Sequence, residues 1–267
     1  MKKVLVITKS TMFYGTGHLI RSKAIYNEIK KNYQAKLITN EDKKNYYKYD
    51  ILVFDLPDYN NFLQKNYNYK NQKIVCIDYN GQDLIDLNFS SVRYSHKAKK
   101  NLVSINNIIL NKPKKYTSIK KKFVLISMGG SDPKNYTKKI LLKLLKDKGI
   151  IIKVILGKLN KNYNSFKNLK NDRVTILQNP KNFRVLQANC KYAITNGGMT
   201  MCEMIYLNKK IFAVPKNKNE ENFCKLINKK YNLKFGKVND VKIINYKYKE
   251  KLKIGNDILL KTIRSFN

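Results

Sequence analysis

One of the two histidines in this 267-residue chain directly follows a glycine turn. His18 stands in the stretch FYGTGHLIRS, residues 13–22, after Gly15 and Gly17 and one helical turn before Arg21. At the start of a helix the dipole disfavours imidazolium, so a neutral ring there is placed to accept a proton. His18 is a candidate general base. The alternative is a histidine that only hydrogen-bonds a loop carbonyl or a phosphate.

Two more glycine loops, SMGGSD (127–132) and TNGGMT (195–200), share the setting of the first. Each is predicted to lie where a strand ends and a helix begins, which is the edge where parallel sheets bind ligands. Unpaired backbone amides and the helix dipole hold phosphates at such positions. Three loops of this kind predict an anion site in a cleft between two domains.

The acidic residues near these loops have two interpretations each. Asp132 precedes Pro133, a pattern typical of a helix N-cap that needs no ligand. Glu203 lies within about two helical turns of Gly197, where a carboxylate can accept ribose hydroxyls or simply stabilise its own helix N-terminus. Both alternatives stay open for Glu203.

Other nucleotide and metal motifs are missing. The chain has no G-x-x-x-x-G-K-[ST] segment, and Ile20 stands near where the dinucleotide fingerprint needs its third glycine. The two histidines and the scattered acids show no metal-ligand spacing, so we expect a reaction without metal or cofactor. His96 has no motif around it and is interpreted as an ordinary surface or domain-edge histidine.

The net charge of +37 suggests a nucleic-acid partner, but the pattern argues against a specific one. Only 5 of the 55 basic residues are arginine, and the lysines are spread along the whole chain. Lysine, asparagine, isoleucine and tyrosine share A/T-rich codons, so genome composition accounts for most of the excess. The positive field still attracts an anionic substrate.

Composition also bounds the class of protein. At 43% hydrophobic residues the chain is globular, without an apolar run of roughly 20 residues to span a bilayer and without a secretory signal. We therefore expect a cytoplasmic protein. The four cysteines lack C-x-x-C spacing and are predicted to be reduced structural thiols: Cys76, Cys190, Cys202 and Cys224.

Alternating strand and helix patterns position these loops and predict an α/β fold with parallel sheets. Expected strands cover 3–8, 35–39, 50–55, 73–78, 123–127, 150–156, 173–177, 192–195 and 210–215. Expected helices cover 18–32, 134–148, 182–189, 199–207, 219–230 and 256–265. A basic linker at 110–122 separates two Rossmann-like domains, residues 1–115 and 116–267, which are expected to face a cleft.

The motifs GTGHLIR, ISMGGSDPKN and TNGGMTMCEMIYLNKKIFAVPKN, in this order, resemble a known family. They are similar to the UDP-2,4-diacetamido-2,4,6-trideoxy-β-L-altropyranose hydrolases of pseudaminic acid biosynthesis, relatives of the GT-B glycosyltransferases. The resemblance implies a GT-B-like fold, a UDP-sugar substrate and a C-terminal UDP-binding domain. The third motif is shared with the wider superfamily, and the first two favour the hydrolase branch.

The resemblance also implies roles for individual residues. In the family the histidine matching His18 is proposed to activate the water that attacks the anomeric carbon, and Arg21 is expected to orient the loop or a phosphate. The remaining residues implied in substrate binding are Gly15, Gly17, Gly129, Gly130, Asp132, Asn196, Gly197, Gly198, Thr200, Glu203 and Asn219.

The chain departs from the family at two places. Pro57 stands where a tyrosine after Asp55 is expected, with Tyr59 and Tyr79 as candidate replacements, and Glu220 follows Asn219 where the family has glutamine. Three functions therefore stay open: a UDP-sugar hydrolase, a GT-B glycosyltransferase whose basic surface favours weak association with anionic membranes, and a catalytically degenerate nucleotide-sugar binder. A monomer is the simplest expectation.

Overall fold

A computed structural model describes residues 1–9, 17–39, 43–60, 62–63, 69–111, 123–160, 162–169 and 171–266, with the side chains of 43–45 and 167 left undescribed. Gly15 and nearly all of the predicted linker lie outside the described residues.

The strands expected from apolar runs are all present within a few residues of their predicted bounds. The described residues form β1 (Lys3–Thr8), β2 (Gln34–Thr39), β3 (Ile51–Asp55), β4 (Lys73–Ile77), β5 (Ile85–Ser90), β6 (Ala98–Val103), β7 (Val124–Ser127), β8 (Ile152–Leu156), β9 (Val174–Gln178), β10 (Tyr192–Thr195), β11 (Lys210–Ala213) and β12 (Lys234–Phe235).

The helices also follow the predicted order. They are α1 (Gly17–Ile29), α2 (Tyr136–Leu144), α3 (Phe183–Asn189), α4 (Met199–Tyr206), α5 (Lys218–Tyr231) and α6 (Asn256–Arg264).

The chain divides into two compact units, and the division differs from the predicted domains at the C-terminus. Unit 1 comprises residues 1–112 and 253–267, and unit 2 comprises 113–252. The expectation that 116–267 form one domain is therefore wrong for the last segment. Asn256 explains the return: its side chain bonds the backbone N and O of Leu110 at 3.2 and 2.8 Å, and α6 packs beside α1 in the core of unit 1.

Unit 1 is built on a parallel six-stranded sheet of order β2-β1-β3-β4-β5-β6. β1 and β3 are almost continuously apolar and buried, as expected for strands covered on both faces. The chain leaves β1 toward β2 on one side and then crosses to β3 on the other. The switch point where ligands bind in such sheets thus lies at the carboxyl ends of β1 and β3.

The strands β5 and β6 were not predicted, although Ile85, Leu87 and Phe89 of β5 alternate with polar residues and are buried. Polar side chains also hold the two strands in place. Parallel strands are usually joined by a dozen or more residues, whereas here only the segments 78–84 and 91–97 make the crossovers. Asn88 and Asn101 pair in register, their side chains bond each other at 2.9 Å, and they bond the backbone of Tyr79, Arg93 and Ser95 in these short loops. Side-chain amides thus replace a crossover helix.

Unit 2 is built on a second parallel sheet, of order β12-β11-β10-β7-β8-β9. Its core packs the apolar face of α2 against residues such as Ile126, Val154 and Phe212. The chain runs from β7 outward to β9 and then returns to the other side of β7 as β10. The switch point here lies at the carboxyl ends of β7 and β10, where the second and third glycine loops begin.

Candidate functional site

The carboxyl edge of the unit 1 sheet carries a cluster of charged side chains. His18, Arg21 and Ser22 lie on the first turns of α1, Asp55 is the last residue of β3, and Asp78 follows β4 directly. Parallel strands end at the same edge, so the fold brings residues from three separate segments together at the switch point of this sheet.

Asp55 is the centre of this cluster and is fully buried. Its Oδ1 lies 2.7 Å from Nδ1 of His18 and accepts from Nη2 of Arg21 at 2.6 Å, while its Oδ2 accepts from Nε of Arg21 at 2.9 Å and from Oγ of Ser22 at 3.1 Å. Every carboxylate oxygen is used. A bidentate arginine is the strongest partner for a buried carboxylate.

The charges of the cluster stabilise one another. Burial by itself raises the pKa of Asp55, but the Arg21 charge and the hydrogen bonds from His18 and Arg21 outweigh burial and hold that pKa well below its usual range. Burial likewise lowers the pKa of Arg21, and the charges of Asp55 and Asp78 reverse this and raise it above its ordinary value. Asp55 is therefore an ionised acceptor at neutral pH.

This pairing fixes the tautomer of His18. A carboxylate can only accept, so the proton between the two side chains belongs to Nδ1 of the ring. In the neutral ring the other nitrogen, Nε2, carries no proton, and the side chain is 26% exposed. The prediction of a base at this position rested on the helix dipole, and the structure adds a carboxylate beside Nδ1.

Asp78 fixes Arg21 from the other side. Its Oδ2 accepts from Nη1 of Arg21 at 2.6 Å, and its Oδ1 accepts from Oγ of Ser90 at 2.7 Å. Asp78 has a φ of 54°, which is unusual for a residue other than glycine. All three nitrogen positions of the Arg21 guanidinium thus contact carboxylates, which gives Arg21 an orienting role within the cluster.

Neither tyrosine considered as a replacement at Pro57 is available to a ligand. Tyr59 and Tyr79 are each 1% exposed. The Tyr59 hydroxyl lies 2.9 and 2.6 Å from the carbonyl oxygens of Phe54 and Ile77, and the Tyr79 hydroxyl donates to Asp83 O at 2.8 Å. The hypothesis that one of them contacts the sugar is wrong, because both are packed into the aromatic core of unit 1.

The second glycine loop, after β7, is shaped by close approach of the backbone. Gly129 has a φ of 83°, which favours glycine, and a Cβ there would lie 3.2 Å from Oδ1 of Asn196. Gly130 approaches Gly157 so closely that a Cβ on Gly157 would lie 2.5 Å from the Gly130 backbone. Asp132 accepts from the amides of Tyr136 and Thr137 at 3.0 and 2.7 Å, so it caps α2, although α2 begins three residues later than the predicted cap position implies.

The third glycine loop, after β10, is closed by a carboxylate. Glu220 accepts from Nδ2 of Asn196 at 2.7 Å, from the amide of Gly197 at 3.2 Å and from the amide of Lys216 at 2.8 Å. Nζ of Lys216 lies 3.9 Å from Glu220 and donates to the carbonyls of Met128 and Ser131 at 3.3 and 3.2 Å. The two glycine loops of unit 2 are thus linked through Lys216 and Glu220.

Glu203 lies in the second turn of α4, beyond the reach of the dipole at the helix N-terminus. Stabilisation of its own helix start is therefore the weaker of its two interpretations. It accepts from Nε2 of Gln187 at 2.8 Å, and Arg184 lies 4.0 Å away. Burial raises the pKa of Glu203, and those two neighbours only partly offset it.

The other predicted site residues occupy less informative positions. Gly198 is the N-cap of α4 and Thr200 is half-buried in its first turn, Gly17 begins α1, and Asn219 is exposed in the first turn of α5. Gly15 lies outside the described residues.

Five residues of these clusters were not among the predicted site residues: Ser22, Asp55, Asp78, Lys216 and Glu220. The acids that end VFD and CID were visible signals, because the last residues of adjacent parallel strands share an edge. Lys216 and Glu220 gave no such signal, since their contacts depend on how two loops fold together.

The cysteines and the possible metal ligands among the described residues form no further reactive site. All four cysteines are buried and none forms a disulfide, and burial raises the pKa of Cys190 and of Cys224 to about 12. Within the described residues, no three histidine, cysteine or acidic side chains cluster closely enough to hold a metal ion. No helix among those residues combines the length and the apolar character that a membrane span needs.

Comparison with solved structures identifies the architecture. The UDP-GlcNAc 2-epimerase of Methanocaldococcus jannaschii, solved with UDP-GlcNAc and UDP, aligns over 99% of this chain and 100% of its own, with a TM-score of 0.64 and 10% identity. MurG of Acinetobacter baumannii aligns over 100% and 90%, with a TM-score of 0.56 and 10% identity. The fold is GT-B-like.

Sequence comparison adds a partial relative. An uncharacterized protein of Methanocaldococcus jannaschii is 36% identical in an alignment of 102 residues that covers 36% of this chain and 21% of that protein. The chain thus spans about a fifth of the length of the relative it matches. No protein-family model matches the chain.

Proposed function

We propose that the protein is a hydrolase that releases UDP from a nucleotide-activated 2,4-diacetamido-trideoxyhexose, within nonulosonic (pseudaminic) acid biosynthesis. The observation that carries the proposal is the His18–Asp55 pair, with Nδ1 at 2.7 Å from a buried carboxylate. It leaves Nε2 as the one basic atom of the cluster without a carboxylate partner.

The reaction follows from that atom. Nε2 of His18 takes a proton from water while the water oxygen bonds to the anomeric carbon, and the bond from that carbon to the phosphate oxygen breaks. UDP departs with the electron pair as a stable anion and needs no acid. Asp55 stabilises the imidazolium that forms, and Arg21 keeps Asp55 ionised and in place.

The nucleotide is assigned to unit 2. The Gly197 amide after β10, the Lys216 amide after β11, the side chain of Asn196 and the ammonium of Lys216 supply hydrogen-bond donors and a positive charge for a diphosphate. The fold is shared with enzymes whose structures were solved with UDP or UDP-GlcNAc, which supports a UDP-sugar as the substrate class. With charge held this way, the reaction requires no metal.

A glycosyltransferase is the alternative that a specific observation favours. The same fold occurs in MurG and in the spinosyn rhamnosyltransferase SpnG, with TM-scores of 0.56 for each. The His18–Asp55 pair would deprotonate an acceptor hydroxyl in place of water. The two reactions differ in their product and not in their base.

The test is a UDP-release assay in ¹⁸O-water with UDP-activated 2,4-diacetamido-trideoxyhexoses, without acceptor and with a chelator present. We expect UDP and free sugar in equal amounts, with the ¹⁸O in the sugar. His18→Ala should lower the turnover rate by about 10²- to 10⁴-fold, while His96→Ala, which removes the other histidine, should leave it unchanged.

Other products would decide against the hydrolase. Label in UDP would show attack at phosphorus, and an intact UDP-sugar of altered stereochemistry would show an epimerase. UDP binding without release in the absence of an acceptor would favour the transferase or a binding role.

A further inference from the structure

Glu220 occupies the donors that a diphosphate would need. Its carboxylate accepts from the Gly197 amide at 3.2 Å, the Lys216 amide at 2.8 Å and Nδ2 of Asn196 at 2.7 Å, and it lies 3.9 Å from Nζ of Lys216. Carboxylate and phosphate oxygens are both anionic acceptors for amide and ammonium groups. These donors cannot serve both at the same time.

We propose that Glu220 is an internal substitute for the diphosphate: it holds the glycine loop in the free protein and leaves when the nucleotide binds. The inference rests on the proposed function, because it takes the ligand of this loop to be a nucleoside diphosphate. Binding is then an exchange of one anion for another at fixed donors.

The position of Glu220 allows it to leave. It lies in the first turn of α5, and its backbone amide is held separately by Oδ1 of Asn217, the helix N-cap, at 2.9 Å. Its side chain is 17% exposed, so rotation can carry the carboxylate toward solvent. The charge would remain near the N-terminus of α5, where the dipole favours it.

The groups left behind would need a new anion. Lys216 is only 19% exposed, and its ammonium stays anchored to the carbonyls of Met128 and Ser131. Oδ1 of Asn196, on a residue that is 7% exposed, has no hydrogen-bond donor among the described residues. A buried acceptor without a partner is costly, which marks this corner as incomplete until a ligand with both phosphate oxygens and a donor such as a hydroxyl is present.

The test is calorimetric titration of UDP and of inorganic pyrophosphate into the wild-type chain, Glu220→Gln and Glu220→Ala. Removing the competing carboxylate should tighten binding of both ligands by roughly tenfold, because a larger fraction of the protein is then ready to bind. Glu221→Gln is the matched control. It removes the same charge from the next residue, which pairs with Lys218 and Lys225 and not with the glycine loop, and it should change both affinities by less than about twofold.

The outcomes separate this inference from the proposed function. Equal or weaker UDP binding by both Glu220 variants, with melting temperatures close to wild type, would overturn the exchange and make Glu220 a direct ligand or a structural group. Tighter UDP and pyrophosphate binding in a protein that hydrolyses no UDP-sugar would support the exchange and reject the hydrolase. Absence of binding in every variant would reject both.

Discussion

The carboxyl edges of the two sheets each hold a carboxylate among donors, but the two carboxylates differ in how they are held. Asp55 is fully buried and bound by charged side chains whose own positions are fixed by Asp78 and by the helix α1. Glu220 is partly exposed and bound by two backbone amides, an asparagine side chain and a more distant lysine. At the first edge the carboxylate is held by fixed side chains, and at the second the donors hold an acid that a ligand can replace.

This difference suits the edge of unit 1 to holding a base and the edge of unit 2 to exchanging a ligand. A base must keep one tautomer through every turnover, so its carboxylate partner has to stay ionised and immobile. A ligand site must exchange its contents, so its donors are best kept occupied by a group that is cheap to move. The two acids are thus expected to respond in opposite ways when their charge is removed.

The largest effect is expected from Asp55→Asn. Removing the charge leaves Arg21 buried with one carboxylate partner, and breaking a buried pair in this way costs about 3 to 5 kcal/mol of unfolding free energy. An amide also leaves the His18 tautomer undetermined, so UDP release should fall by at least about 10²-fold. Urea unfolding and the release assay measure the two effects.

Asp50→Asn is the matched control for that substitution. Asp50 immediately precedes β3 at its opposite end, is exposed, and accepts a hydrogen bond from the amide of Lys3 at 2.7 Å. Its loss should cost no more than about 1 kcal/mol and leave UDP release unchanged. Equal losses of unfolding free energy and of UDP release from the two substitutions would contradict a particular role for the carboxyl end of β3.

How much of the fold can be predicted from the sequence depends on how far apart in the sequence the contacting residues lie. Apolar runs such as KVLVIT and ILVFD predict strands, because the local pattern of hydrophobic residues is enough to identify them. β5 was missed although its apolar residues alternate with polar ones, whereas the mostly polar β6 is held to β5 by the side-chain bond between Asn88 and Asn101. The return of α6 to unit 1 depends on the contact of Asn256 with Leu110, 146 residues away.

The candidate site also combines features visible in the local sequence with contacts between residues far apart in the chain. His18 was predicted because it follows a glycine turn, but its contact Asp55 lies 37 residues further on. Glu220 stood out in the sequence only as a departure from the family that the motifs resemble. Its contact with the Gly197 amide, across 23 residues, requires the loop geometry itself.

Acid titration sharpens the comparison by isolating the buried charge. The pKa of Asp55 in the folded protein is held below the unfolded value of about 3.9. Its contribution to stability is therefore complete above about pH 5 and is lost as the pH falls below the unfolded pKa toward the folded one. The stability difference between wild type and Asp55→Asn should shrink as the pH falls from about 5 to below about 4. A difference that does not shrink in this range would contradict this assignment.

Gly198→Ala tests the exchangeable edge with a smaller effect. The new Cβ would lie 2.8 Å from Nδ2 of Asn196, displacing the amide that bonds Glu220. We expect UDP to bind about tenfold more weakly, which corresponds to about 1.4 kcal/mol, with a loss of only about 1 kcal/mol in unfolding free energy. Gly149→Ala, whose Cβ would meet nothing closer than 3.6 Å, should change neither quantity. Wild-type UDP affinity in Gly198→Ala would remove this loop from the nucleotide site.

Glu203→Gln is expected to have the smallest effect on stability, and it discriminates between two roles. Because burial raises the pKa of Glu203 in the folded protein, its ionised form costs stability as the pH rises through that value. The neutral glutamine should therefore be as stable as wild type at pH 4 and more stable at pH 8, by at most about 1 kcal/mol. If Glu203 accepts ribose hydroxyls, the same variant should bind UDP about tenfold more weakly and pyrophosphate with unchanged affinity, because pyrophosphate has no ribose. Unchanged affinity for both ligands would show that Glu203 serves its contact with Gln187 and does not bind the ribose. Residues other than Glu203, the only acid of α4, would then have to bind the uridine.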